Sequence, residues 1–152
     1  MAQRPTLYVQ VVTTTGEVHA GEADEVLAPG SEGQLGILPR HAPLMTTLKV
    51  GALIIKHAGS EETLFIGGGF MEVADNRVIV LADDAERASD IDEAHAQEAR
   101  RRAEADLAQD RSDVDRAALT GDLERALGRI RVAEIQRTRR TRHATPPPGS
   151  EQ

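Results

Sequence analysis

Short runs of strand formers separated by turn residues fill residues 6–83, and from Asp84 apolar residues recur at helical spacing. Thr6–Val12 is rich in β-branched residues and stops at the turn-like Thr15-Gly16. Asp24–Ala28 predicts a short strand, followed by strands at Leu44–Val50, Ala52–His57, Glu62–Ile66, Gly69–Ala74 and Arg77–Ala82. Gly51, Ala58-Gly59-Ser60 and Asp75-Asn76 punctuate them. Phe70, Glu72 and Ala74 alternate with Met71 and Val73, which predicts one half-buried face. Short strands so spaced predict a β-sandwich or flattened barrel. In Gly67-Gly68-Gly69, a bulge or close backbone approach is the expected role, with a partner contact left open.

From Asp84 the strand formers give way to Ala, Glu, Arg and Asp. Ser89-x-x-Asp92 and Ser112-x-x-Asp115 resemble capping boxes, so helices are expected over about 90–109 and 113–140. The second has an apolar stripe of Leu119, Leu123, Ala126, Leu127, Ile130 and Ala133. The first has a thinner one of Ile91, Ala94, Ala99, Ala103 and Leu107. The short link at Asp110-Arg111 predicts an antiparallel hairpin. Alanine contacts bury little, and Gly121 and Gly128 each cost a helix about 1 kcal/mol. Such a hairpin could open as an arm, although a permanently docked one satisfies the same pattern. The expected class is therefore α+β: an N-terminal β-sandwich (1–85), a C-terminal two-helix hairpin (86–140) and a disordered tail (141–152) without apolar pattern.

Between strands lies Pro29-Gly-Ser-Glu-Gly-Gln-Leu-Gly-Ile-Leu-Pro-Arg-His-Ala-Pro43. Its glycines permit unusual backbone, and its prolines fix φ and remove donors, so a stiff, partly buried presenting loop is expected. No Lys-Ser/Thr follows the glycines and no helix can begin there, which argues against a phosphate loop.

Composition narrows the rest. With two Phe, one Tyr and no Trp, the core must come from Val, Ile, Leu and Ala. No cysteine means no disulfide and no thiolate metal site. No apolar run approaches the roughly 18 residues of a membrane span, and the N-terminus lacks a secretory stretch, so a soluble chain that stays where it is made is expected. The net charge of −7 is uneven: residues 1–85 carry five Lys/Arg against eleven Asp/Glu, and 128–143 carry six Arg against one Glu. A basic end on an acidic body points to an acidic partner; without stacking aromatics, nucleic acid is disfavoured. His19, His41, His57, His95 and His143 are scattered, and no hydrolase or metalloprotease motif occurs. Asp83-Asp84 reads as a solvated pair. No enzyme is expected.

Gly-x-x-Gly-x-x-Gly-Ile-Leu-Pro-x-His-Ala-Pro-Leu resembles the signature of the epsilon subunit of the rotary F-type ATP synthase. Val11-Val12-Thr13, Gly21-Glu22-Ala23-Asp24, Leu48-Lys49-Val50-Gly51, Gly67–Val73 and Val80-Leu81-Ala82 continue the likeness in order, as do Asp90–Ala94 and Arg125–Arg129. The resemblance implies a non-catalytic rotor subunit at the cytoplasmic side of the cell membrane. Its sandwich would dock on the gamma subunit and rest on the c-subunit ring, with Glu32, Gln34 and His41 facing ring and shaft. Its hairpin would extend into the alpha and beta catalytic head to resist ATP hydrolysis, with Arg129, Arg131, Arg137, Arg139, Arg140 and Arg142 meeting acidic residues there. Some relatives bind a regulatory ATP on the folded hairpin. The matching residues are Ile91, Asp92, Arg102, Arg125 and Arg129, but His95 replaces the motif's first arginine. Neutral imidazole attracts phosphate far less than guanidinium, so weak or absent ATP binding is expected, and no other cofactor. A free-standing adaptor binding anionic membrane through its basic helices is the runner-up, and a nucleotide hydrolase a distant third.

Overall fold

The structure, a computed structural model, describes residues 3–144. Eight strands run β1 Leu7–Thr13, β2 Gly16–Ala23, β3 Glu25–Gly30, β4 Gly33–Ile37, β5 Leu44–His57, β6 Ser60–Ala74, β7 Arg77–Ala82 and β8 Ala85–Arg87. A 3-10 turn at Ala88–Asp90 leads to helices α1 Glu93–Leu107 and α2 Asp113–Ala144. The expected α+β architecture is observed. The hydrogen-bonded order is β2-β1-β7-β6-β5-β3-β4, with β8 also on β6. All pairs are antiparallel except β1 with β7.

The long strands β5 and β6 belong to both layers of the sandwich. Leu44–Leu48 and Gly69–Val73 pair with each other and, through β6, with β7; beyond the corner, β5 pairs with β3 and β6 with β8. The sequence places breaks at Gly51 and between Ile66 and Gly69, yet neither strand stops there, and the close backbone approach expected at Gly67–Gly69 is found. These glycines let backbones cross closely at the corner. A Cβ on Gly69 would stand 2.2 Å from the Leu81 carbonyl oxygen, at a φ of +131° that side chains resist.

Leu7, Val9 and Val11 of β1, Val78 and Val80 of β7, and Leu64, Ile66, Met71 and Val73 of β6 share one core with Leu53 and Ile55. Among the described residues, none from a helix belongs to that cluster. The opposite pleat of β6 sends Phe65 outward to a second cluster with Ala88 and Val132, edged by Val50, Ala52 and Ile91. Alternation on one strand thus serves the sandwich with one face and the hairpin with the other.

Several local expectations need correction. Much of the glycine–proline stretch is not loop: Gly33–Ile37 pairs with β3 as an edge strand, with Pro29 of β3 opposite Gln34 and with Pro39 and Pro43 beyond the strand's end. α1 is capped by Asp92, whose carboxylate accepts from the His95 backbone N–H at 3.0 Å, while Ser89 lies in the preceding 3-10 turn. Ser112 caps α2 as expected, accepting from the Asp115 N–H at 3.2 Å. Leu127 is 41 % exposed and Ala94 is exposed, whereas Val132 and Ala96 are buried. α2 also continues to Ala144, past the expected end near 140; the rest of the anticipated tail, 145–152, lies outside the described residues.

Candidate functional site

Three regions carry chemistry or contact surface. The first is the groove between the helices. Asp92, His95 and Arg102 of α1 and its cap, and Arg125 and Arg129 of α2, line one cavity of about 450 Å³ together with Glu86, Asp106 and Asp122. Five of the six residues singled out from the sequence are therefore brought together, while Ile91 packs at the edge of the Phe65 cluster. Their charge is not that of an open anion site. Four carboxylates face three guanidiniums, and each guanidinium already has an acidic neighbour.

Arg129 pairs with Asp84 and donates to Glu86 at 3.1 Å, with its guanidinium 4.5 Å from the centre of the Phe65 ring. Arg125 pairs with Asp122 one helical turn before it, and Arg102 lies 3.7 Å from Glu98. Arg101, hydrogen-bonded to Glu98, holds that carboxyl below the usual glutamate range. Asp84 is thus no mere solvated member of an acidic pair, because the corner at Gly67 turns it toward α2.

The second region is the basic length of α2. Arg139 contacts Glu61 at 2.5 Å and donates to Thr63 at 3.0 Å, and Arg137 contacts Glu93 at 2.8 Å. Arg131, Arg140 and Arg142 are exposed. In this docked arrangement three of the six arginines face the chain's own acids. Gly128 makes the close fit possible, since a Cβ there would stand 2.8 Å from the Phe65 ring and 2.9 Å from Val50.

The third region is the surface of the sandwich. Glu32 and Gln34 share a groove with Leu44 and Thr46 at the β3–β4 turn. His41 does not join them. It sits in the turn closed by its N–H to the Leu38 carbonyl, and the neighbouring Arg40 N–H is held by Asn76 at 2.9 Å. Sequence reasoning missed a larger feature. Register places Phe70 opposite both Leu81 and Thr47, and Met45 opposite Glu72, on the outward face of the layer. Met45, Phe70 and Leu81 are 72 %, 55 % and 56 % exposed. The alternation around Phe70 was the signal, but exposure of its apolar members follows only from which pleat faces the core.

Among the described residues no three His, Asp or Glu gather as a metal site, and no helix is long and apolar enough to cross a membrane.

The family model for the ATP synthase delta/epsilon chain β-sandwich domain matches residues 6–88, and that for the long α-helix domain matches 89–134. The chain belongs to the ATP synthase epsilon-chain family. It is 47 % identical over 134 residues to the ATP synthase epsilon chain of Acidithiobacillus ferridurans, spanning 88 % of this chain and 94 % of that one. With the epsilon chain of Halorhodospira halophila it shares 45 % over 139 residues, covering 90 % and 99 %. The fold is similar to that of a chain in the Euglena gracilis mitochondrial ATP synthase complex of OSCP, F1 and c-ring, with a TM-score of 0.70 at 21 % identity over 81 % of this chain and 79 % of that one. A chain of the central stalk and c-ring of the Tetrahymena thermophila enzyme aligns with a TM-score of 0.56 at 14 % identity, covering 87 % and 99 %. Family membership makes this chain a subunit of the ATP synthase, a complex that sits in the membrane. The family boundary at 88–89 falls at the 3-10 turn, where sandwich gives way to hairpin.

Proposed function

We propose that this chain is a non-catalytic rotor subunit of the central stalk, which couples proton flow to ATP synthesis and restrains ATP hydrolysis through its hairpin. One observation carries the reading: the sandwich closes its core without any helix residue, and α2 is held against it by a separate small cluster and ion pairs. An arm built this way can leave without unfolding its base. The apolar face of Met45, Phe70 and Leu81 is the dock for the gamma subunit, because exposed large apolar side chains gathered on one face mark a partner contact. Glu32 and Gln34, at the turn where β3 meets β4, face the c-ring, and His41, on the separate Leu38–His41 turn, faces the shaft. The extended hairpin presents Arg129, Arg131, Arg137, Arg139 and Arg140 to the alpha and beta catalytic subunits. The chain would then lie peripherally at the membrane, on its cytoplasmic side.

The interhelical groove matches the position expected for a regulatory ATP but not its charge. A nucleotide triphosphate would have to displace Asp84 and Glu86 from Arg129 and Asp122 from Arg125. His95 supplies no fixed positive charge to offset that loss. Binding is weak or absent in this reading.

ATP hydrolysis by the cognate catalytic complex, reconstituted with the full chain or with a version ending at Ala88, tests the function. Binding of both with suppression by the full chain alone supports it. Equal hydrolysis with both bound removes the regulatory part, and binding by neither removes the rotor assignment.

A further inference from the structure

Two sets of acceptors on the sandwich, well separated along α2, grip the same helix. Asp84 and Glu86, on the corner leading into β8, hold Arg129; Glu61 and Thr63, near the start of β6, hold Arg139. The two arginines are ten residues apart, which is about 15 Å along a helix. Between them Val132 is fully buried, and the Phe65 ring lies beneath Arg129 and Gly128. All of these acids belong to the sandwich, and each guanidinium uses donors that an external anion would need.

We propose that these contacts form a self-liganded latch, in which the sandwich's own carboxylates hold the arm down in place of a bound nucleotide. The latch deepens the regulatory reading above and rests on it, because it sets the balance between docked and extended hairpin. The arginines that grip Asp84, Glu86 and Glu61 are among those offered to an acidic surface on the catalytic head. One guanidinium cannot fully satisfy both, so undocking exchanges intramolecular acids for intermolecular ones. The ring face under Arg129 adds to the grip and is lost with it.

Such a latch responds to salt in a way that an apolar seam does not. Raising ionic strength from about 0.1 M to about 1 M shortens the screening length from about 10 Å to about 3 Å. Ion pairs weaken under that change. Burial of Phe65 and Val132 does not. Each clamp is partly exposed, so its loss shifts the docked-to-undocked ratio by only about fivefold. Lying apart, the two together give about 25-fold.

The absence of cysteine allows two labels to be placed at will, and exposed Thr14 and Leu127 are suitable. In the isolated full chain carrying Thr14→Cys and Leu127→Cys, energy transfer between the labels reads docking directly. Undocking is expected to grow with sodium chloride and to grow in low salt with Asp84→Asn combined with Glu61→Gln, while millimolar ATP leaves both chains unchanged. Transfer unmoved by salt and by the double substitution would overturn the latch, as would ATP closing the substituted chain. The salt titration uses the native charges, so it decides the matter even if the double variant folds poorly. Because no catalytic complex is present, a negative result here is distinct from the hydrolysis test of the regulatory role.

Discussion

Replacing Gly128 with alanine adds one methyl group where α2 lies closest to the sandwich. That carbon would stand 2.8 Å from the Phe65 ring edge and 2.9 Å from a Val50 methyl, both well inside contact distance. Phe65 is fully buried and lies beneath Arg129, so the ring cannot simply swing aside. Overpacking of this kind costs about 1–3 kcal/mol. Alanine also favours helix over glycine by about 1 kcal/mol. If α2 remains helical when it undocks, that gain is common to both positions and cancels. The docking equilibrium then moves by the full steric cost, about 5- to 150-fold toward the undocked arm.

Gly121→Ala is the internal control. It is the same substitution in the same helix, but its new carbon would meet only the Arg125 guanidinium, at 3.4 Å. The labelled full chain measures docking, and circular dichroism measures helix content. The expected outcome is a less docked Gly128→Ala chain, with helix content at or above that of the parent, and an unaltered or better docked Gly121→Ala chain. Equal docking in the two variants would refute the claim that Gly128 is selected by close approach. Undocking accompanied by loss of helix would refute the claim that the arm moves as a helix.

Two further outcomes follow from the sandwich. Phe70→Glu, on an exposed face, should abolish binding to the gamma subunit in a pull-down while leaving the thermal midpoint of the isolated chain within a degree or two, since exposed substitutions usually change stability by under about 0.5 kcal/mol. Asn76→Gly keeps the left-handed backbone of its turn (φ 59°) but removes bonds to the Arg40 N–H and the Thr6 carbonyl, so it should cost about 1–2 kcal/mol in chemical denaturation. It should also increase amide exchange around Arg40 and His41.

Periodicity revealed the two-part architecture because it reports which face of each element is buried. It was less informative where glycine had two possible meanings. Gly51 looks like a strand end by composition, yet it permits a continuous pair of strands to fold through a corner with Gly67–Gly69, where the expected close backbone approach is found. The edge strand at Gly33–Ile37 was hidden in the same way by the prolines on either side. Val132 escaped the apolar stripe because its burial depends on Phe65, a residue 67 positions earlier in the chain. The ion pairs were still less legible: Arg129 and Asp84 are 45 residues apart, and no local pattern couples them. The groove residues were named from family likeness, and only the structure shows that their charges are already matched.

The division of buried surface explains how one chain can be both a stiff coupling and a movable arm. The sandwich core draws on β1 through β7, so separating the hairpin leaves it intact. Against this, the fully buried side chains of the second cluster are Phe65 and Val132, each worth about 1.5–3 kcal/mol at full burial. Two partly exposed ion pairs, each contributing about 1 kcal/mol or less, add a smaller part that an exchange of acids can remove. Had α2 shared the main core, its release would unfold the subunit and no modest electrostatic exchange could move it. Had it lacked Phe65, the arm would lose the largest apolar side chain of its attachment and lean more on charge. The alternation of Leu64, Phe65 and Ile66 along one strand therefore sets the balance: two side chains stabilise the base, and the one between them makes the arm's attachment firm but reversible.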